Sequence, residues 1–571
     1  MGGNFRSPDP GDSPRGCRGD RAKPASLTPA PTPFMTTRPT KPSPTLRKRT
    51  TLTMLARKTS LVITPIVAIL TAALASGCAK PPQERTKWAG QEQGLPDYRL
   101  PEKTFFKIDD TFLKNRKVFA WYMPCTSVFP SWDDASVEQR EANFMAEIQM
   151  AQSMGIDGFG LDIMQDNENY HRSIEAMFRA AKRLNTGFKL FFEFDYGQPT
   201  LEQRAADILM LMKKYADHEV YEKVDGKPLV AAYGPDGWVI DGNNKPSYAG
   251  SVKWWRDNIT EPLRKDGMEI YFVPATFRQV WSGGVNSQSA SAEITDWGDL
   301  IQGLSLWQIQ LSPNGVGLQN LERLGRALHE SGKTWMSTIA MHYWCGAGKS
   351  IPSWYWRPGD PESDNKPNGT YYEHSGGKGL DAQWRSVIDV QKPEWVMMLT
   401  WNDYNESYII PVDDLHKYRN GTGDAPYGWY KSMAGLDELN RYYIQWYKTG
   451  VQPTITDDTL FFSYRTSSQK LVPSADRRPP VKIGNGPIKD EIYITTALTA
   501  PAQVEVFSGQ ERTRIDVPAG IHHVEVPFQA GRQYFALWRD GKQIASGEGT
   551  PVNSNIQFHD YWPTTGYIRA N

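Results

Sequence analysis

The chain has 571 residues, too many for one ordinary domain and enough for two sizeable cores. Lys+Arg and Asp+Glu balance at 64 each, which argues against a basic nucleic-acid binder or a polyacidic chain, and no nucleic-acid partner is expected. The 20 Trp, 26 Tyr and 22 Phe, against 22% charged residues, describe a folded protein with aromatic surface to spare, and sugars offer such rings their C–H faces.

Residues 1–53 are rich in Pro, Thr, Ser and Arg and have little to bury, so they are expected to be disordered. Met54 opens MLARKTSLVITPIVAILTAALASGC, in which Arg57 and Lys58 precede a short apolar run and small residues end it. That is the pattern of a secretory signal peptide over 54–78, not of a spanning helix. Its ending, ASGC, resembles a bacterial lipobox with Cys78 as the lipidated residue, although Ala75 stands where Leu is usual. An ordinary signal peptide cut near Ala79 is the alternative. Contact with a membrane is expected only through such an anchor, on an exported, envelope-held or secreted protein. Residues 79–100 read as a linker. Of the remaining cysteines, Cys17 lies in the extension. Cys125 and Cys345 are left either to pair in an oxidising compartment or to stand as free thiols.

From about residue 100 short apolar runs alternate with stretches of helical spacing. The runs are KVFAWYM (117–123), IDGFGLDIM (156–164), FKLFFEFD (188–195), PLVAAYG (228–234), EIYFVPAT (269–276), GLSLWQ (303–308), TWMSTIAMH (334–342) and EWVMMLTW (394–401). Between two of them, Leu318, Leu321, Leu324 and Leu328 line one helical face. Eight βα units predict an α/β fold, a (β/α)8 TIM barrel over 101–450. A doubly wound open sheet is the alternative, weakened by the lack of a Gly-rich phosphate fingerprint after the first strand. After Gly450 the pattern becomes short alternating strands between Gly and Pro turns, such as DEIYITTAL, AQVEVFSG and QYFALWRDGKQIASG. A C-terminal all-β sandwich is therefore expected over 451–571, as an accessory domain.

In a barrel, function gathers where strands end. The eighth run passes from Val396–Leu399 into Thr400-Trp401-Asn402-Asp403-Tyr404-Asn405-Glu406-Ser407. The first ends with Trp121 and Tyr122, the second with Asp162, the third with Asp195; the sixth holds Trp307 and the seventh ends with His342. Carboxylates and aromatics converging on one face point to glycoside hydrolysis. That reaction needs one acid to protonate the leaving oxygen and a second carboxylate to activate water or attack the sugar. A single strand-end Asp more often caps a helix or pairs with Arg, and Asp162 by itself fits that reading somewhat better. Asp403 with Glu406, beside Trp401 and Asn402, fits catalysis better. His342 is equally explained as a packed histidine. Nothing has metal-ligand spacing and no GxSxG elbow is present, so neither a metal, a cofactor nor esterase chemistry is expected.

These residues carry a resemblance to glycoside hydrolase family 71, the α-1,3-glucanases or mutanases. VFAWYM, GIDGFGLDI, GFKLFFEFDY, YFVPA, LSLW, LDAQWRSVI and PEWVMMLTWNDYNESYI match in order, and the likeness runs from about residue 115 to the end. The resemblance implies a (β/α)8 catalytic domain followed by β-sandwich modules, and inverting, here expected to be endo-acting, cleavage of α-1,3-glucan. It places the essential acids on Asp403 and Glu406, with a third on Asp195. Trp401, Asn402, Tyr404, Trp121, Tyr122, Asp162, Trp307, His342 and Trp384 are expected to contact the glucan. The chain departs from the family at Asn405, where Gly is common, at Tyr408, where His is common, and at Asp162, where Asn is frequent. A monomer acting on α-glucan is expected; a hydrolase of another α-linked polysaccharide and a non-catalytic glycan-binding lipoprotein are the alternatives.

Overall fold

In a computed structural model, the structure describes residues 87–124, 135–195, 200–278, 287–308, 316–345, 370–404, 406–412, 431–474, 481–484, 487–557 and 559–570. The signal-like segment with Cys78, Cys125 and its pairing with Cys345, and Asn405 lie outside the described residues. From Trp88 onward the chain forms one compact unit.

Each of the eight apolar runs contains one strand. They are β1 (Lys117–Tyr122), β2 (Gly158–Ile163), β3 (Lys189–Phe194), β4 (Lys227–Ala232), β5 (Tyr271–Phe272), β6 (Gly303–Ser305), β7 (Thr334–Ala340) and β8 (Trp395–Leu399). They pair in parallel in the order β5–β4–β3–β2–β1–β8–β7–β6, and Lys223–Val224 adds an antiparallel edge to β4. At the two ends of that order, the Gln302 N–H donates to the Phe272 carbonyl at 3.0 Å and the Ser305 N–H to the Pro274 carbonyl at 2.8 Å. The strands are apolar on both faces because both faces are covered, which removes the alternation a one-sided sheet would show.

The first three intervening helices begin at side-chain caps. Helix α1 (Val137–Ser153) is capped by Ser136 and α3 (Leu201–Tyr215) by Thr200, each with Gln at the third helical position returning the bond; between them, α2 (Glu168–Leu184) is capped by Asn167. Inside the sheet, Phe119 of β1 meets Phe191 of β3 edge-on at 5.1 Å. Gly160 of β2 makes room for them: a Cβ there would stand 2.9 Å from the Phe191 ring.

Helix α4 (Ala434–Thr449), almost wholly buried, ends at Gly450 in the left-handed region, φ 73°. Beyond it the chain is all β. Strands β9 (Thr459–Arg465), β10 (Glu491–Leu498), β11 (Ala502–Ser508), β12 (Glu511–Val517), β13 (Gly520–Pro527), β14 (Gly531–Arg539), β15 (Lys542–Val552) and β16 (Pro563–Arg569) form two antiparallel sheets, β13–β10–β9–β16 and β12–β11–β14–β15. Both sheets feed one apolar cluster, in which Phe462 stacks on Phe535 at 4.3 Å. The first sheet also packs on α4. Gly435 approaches the backbone of Gly566 so closely that a Cβ would lie 2.3 Å from its nitrogen, and Arg569 reaches Glu438 at 2.5 Å.

Candidate active site

The chain after β8 folds back on itself at once. Asn402–Asp403 pairs antiparallel with Ser407–Tyr408. Two hydroxyls stitch the turn: Thr400 donates to the Ser407 carbonyl and accepts the Asp403 N–H at 2.7 Å, while Ser407 donates to the Leu399 carbonyl at 3.0 Å. The Asn402 amide clamps the turn to the end of β1. It accepts the Met123 N–H at 2.7 Å and donates to the Met123 carbonyl at 3.0 Å. Small hydroxyl residues and an amide are what a tight buried turn needs, because each of its backbone groups must find a partner. The turn thereby presents Asp403 and Glu406, both almost buried, at the C-terminal ends of the parallel strands, where α/β enzymes bind ligands.

Asp403 and Glu406 do not stand alone. Asp162 at the end of β2 lies within electrostatic reach of Asp195, Glu193 and Asp403. Tyr233, just past β4, feels Glu406, Asp195, Asp162 and Asp403 together. Burial pushes the Asp162 carboxyl well above its usual range; Asp195, Glu193 and Asp403 push the same way, against a hydrogen bond from the Trp121 side chain. Burial and then Asp195 do the same to Glu193. The Tyr233 hydroxyl is raised by burial first and by the four carboxylates after it. The arrangement is thus an acid-rich cluster in which burial and neighbouring carboxylates raise the pKa of Asp162 and of Glu193. Among the described residues, no group of His, Cys, Asp and Glu is arranged to hold a metal.

Tyr233 also joins the carboxylate cluster to a group of packed aromatic rings. Trp121 meets Trp307 edge-on at 4.5 Å and Tyr233 at 5.7 Å, and Tyr233 meets Trp307 at 5.1 Å. The structure therefore brings together Asp162, Asp195, Asp403, Glu406, Trp121 and Trp307 from the residues named by sequence. It adds Glu193 and Tyr233, which sequence reasoning missed. The signals were present: Glu193 shares the face of Asp195 two residues on, and Tyr233 is the last residue but one of the fourth apolar run.

Six expected substrate contacts are placed elsewhere. Trp401 is fully buried against Phe159, and its indole N–H donates to Glu147 of α1 at 2.9 Å. Tyr122 packs between Phe144 of α1 and Phe159, on the same outer side of the sheet. Trp384 lies in the core near Tyr443 and donates to the Asn440 side chain at 2.6 Å. Asn402 has its amide engaged with Met123, as above, and Tyr404 is buried against Tyr408 at 5.6 Å. His342 sits behind the turn. Its Nε2 is 2.8 Å from the Tyr408 carbonyl, and its ring is edge-on to Tyr408 and to Trp562 of the all-β region. Trp562 also touches Tyr408 and Trp344, so the C-terminal region buttresses the turn that carries Glu406.

Burial drives the His342 pKa down to about 4 from an ordinary 6.5, partly opposed by its bond to Tyr408. The unfolded chain therefore takes up this proton more readily than the folded one. Its contribution to stability is whole above about pH 6.5 and is lost as pH falls toward 4, at about 1.4 kcal/mol per pH unit. His342→Gln is expected to flatten that acid loss when melting temperature is followed from pH 7 to 4. An unchanged slope would remove His342 as its source.

The family model described as "Glycosyl hydrolase family 71" matches residues 114–570. A glucan endo-1,3-alpha-glucosidase of Schizosaccharomyces pombe is 25% identical over 441 residues, 75% of this chain and 91% of the relative. A mutanase of Penicillium rubens is 25% identical over 412 residues, 71% of this chain and 79% of the relative. Among solved structures, the family 99 endo-alpha-mannosidase of Bacteroides thetaiotaomicron aligns with a TM-score of 0.39 at 14% identity, over 60% of this chain and 99% of that one.

Proposed function

This chain belongs to glycosyl hydrolase family 71, and from that premise we propose that it cleaves α-1,3-glucan by an inverting mechanism, using the carboxylates gathered at the ends of β2, β3 and β8. The observation that carries the reading is the convergence of Asp162, Asp195, Asp403 and Glu406 on Tyr233. The two relatives named for cleaving α-1,3-glucan or for mutanase activity support the substrate. Glu406 is the acid: it gives its proton to the glycosidic oxygen as the C1–O bond breaks. Asp403 is the base: it takes a proton from the water that attacks C1 from the opposite face, leaving a hemiacetal of inverted configuration. Asp195 orients that water. Trp121, Trp307 and Tyr233 hold the sugar rings.

The same proposal takes the parallel sheet as a (β/α)8 barrel closed between β5 and β6, a reading supported by the parallel bridge of Ala275 to Ser305. The all-β region is read as a sandwich that buttresses the catalytic turn through Trp562. Residues 54–78 are read as an export leader with a lipid anchor at Cys78. The expected result for Cys78→Ala is loss of membrane fractionation; a variant that stays membrane-bound and fully processed would sink the anchor. For the activity itself, reducing sugar should be released from α-1,3-glucan and not from pullulan or α-mannan. Release from one of the latter alone would move the chain to another α-linked polysaccharide, and no release from any of them would leave a binding protein.

A further inference from the structure

Glu193 is an acid with no stated task in this chemistry. It lies in β3, in register with Asp162 of β2 and two residues before Asp195. Alternation along a strand puts it on the face that Asp195 shares, and register puts it beside Asp162. It is 1% exposed, and its Oε2 has no hydrogen-bond partner among the described residues; the same holds for Oδ1 of Asp162. On the other side, β4 offers only Ala231 in register, with Tyr233 beyond it. The charged groups that face this pair are themselves acidic: Asp195, just past the end of β3, acts on both, and Asp403, on the turn after β8, acts on Asp162.

A buried carboxylate oxygen with neither a cation nor a donor beside it is an unfavourable place for negative charge. The site has a cheaper arrangement. We propose that Glu193 is a positioning residue that carries a proton at working pH, so that the negative charge of the site is left to the carboxylates that meet substrate and water. Five ionised carboxylates in one pocket would repel one another and drag every member toward protonation, including the base. A neutral Glu193 next to Asp195 removes one of those repulsions where it is strongest. The direction in which burial and Asp195 move this carboxyl agrees with that role. Its kinetic consequence rests on the glucanase reading; the proton itself does not.

Two measurements on the full chain test the proposal separately. The first is melting temperature against pH. A group whose folded pKa is raised binds more protons folded than unfolded, so its cost to stability is absent below about pH 4 and grows as pH rises through the window up to the folded pKa. Glu193→Gln removes that cost. Its melting temperature should match the parent's near pH 4 and pull ahead by about 1–2 °C per pH unit above it. The second is the pH profile of kcat/KM on α-1,3-glucan. Glu193→Gln should stay within about threefold of the parent at the pH where the parent is most active and hold its activity further into alkali, because it has no proton to lose. A melting-temperature difference that is flat with pH overturns the proposal, and so does a folded Glu193→Gln that is inactive at every pH, which would make the charge the useful form. Glu193→Met, neutral and of similar length, serves if the Gln variant does not fold. If neither parent nor variant cuts the glucan, the functional reading fails while the melting curves still decide the proton.

Discussion

Glu406→Gln is expected to lower turnover on α-1,3-glucan by about 10²–10⁴-fold, and Asp403→Asn by a similar factor, because each removes one of the two proton transfers. Both changes keep size and hydrogen-bonding capacity, so the buried turn should survive them. The turn's own bonds, from Thr400, Ser407 and Asn402, do not involve these carboxyl groups. Binding to insoluble glucan should therefore be nearly unchanged while kcat collapses, which separates a lost chemical step from a lost fold. An active, folded Asp403→Asn enzyme would take this pair out of the mechanism.

Asn402→Ala should be the most damaging change for the fold of the site. The Asn402 side chain is completely buried and satisfies both the N–H and the carbonyl of Met123. Truncation removes two hydrogen bonds and leaves two buried backbone groups without partners, a cost of about 2–5 kcal/mol. Chemical denaturation should show that loss. The catalytic turn would also come loose from β1, so kcat should fall more than KM rises in whatever enzyme remains folded. If the variant keeps the parent's stability, Asn402 is not the clamp described here, and its expected role in touching substrate regains its place.

Much of this architecture could be read in the chain, and the reasons are local. The eight apolar runs became strands because parallel strands covered on both faces need continuous Val, Ile, Leu, Phe and Met. Ser136 and Thr200 cap their helices with Gln at the third position, a local signal that the sequence reading did not use. The fifth run gave only Tyr271–Phe272 as a regular strand, although Val273 and Ala275 still donate to the Val230 and Ala232 carbonyls and the Pro274 carbonyl accepts from Ser305. The acids of the site were legible for the same positional reason: Asp162, Asp195, Asp403 and Glu406 follow apolar strands at the point where the sheet stops. Of the aromatics, Trp121 and Trp307 were legible in the same way and the others were not. Trp401 comes after the last paired residue of β8, Leu399, so alternation no longer says which way its ring turns. Tyr122 is inside the ladder but on the face toward α1. Trp384 lies on a helix whose partner, α4, is some fifty residues on, and no local pattern encodes that contact. Glu193 was overlooked for the opposite reason. It sits within an apolar strand as a lone charge, and its meaning appears only when Asp162 is set beside it by register.

The most direct test of the central claim is proton NMR of a fresh digest of α-1,3-glucan by the purified chain, recorded before the new reducing ends mutarotate. The account predicts signal from newly released reducing ends, with the β-anomer appearing first and the α-anomer growing in later. A digest in which the α-anomer appears first would contradict inversion by Asp403 and Glu406, and one in which no reducing ends appear would contradict the glucanase itself.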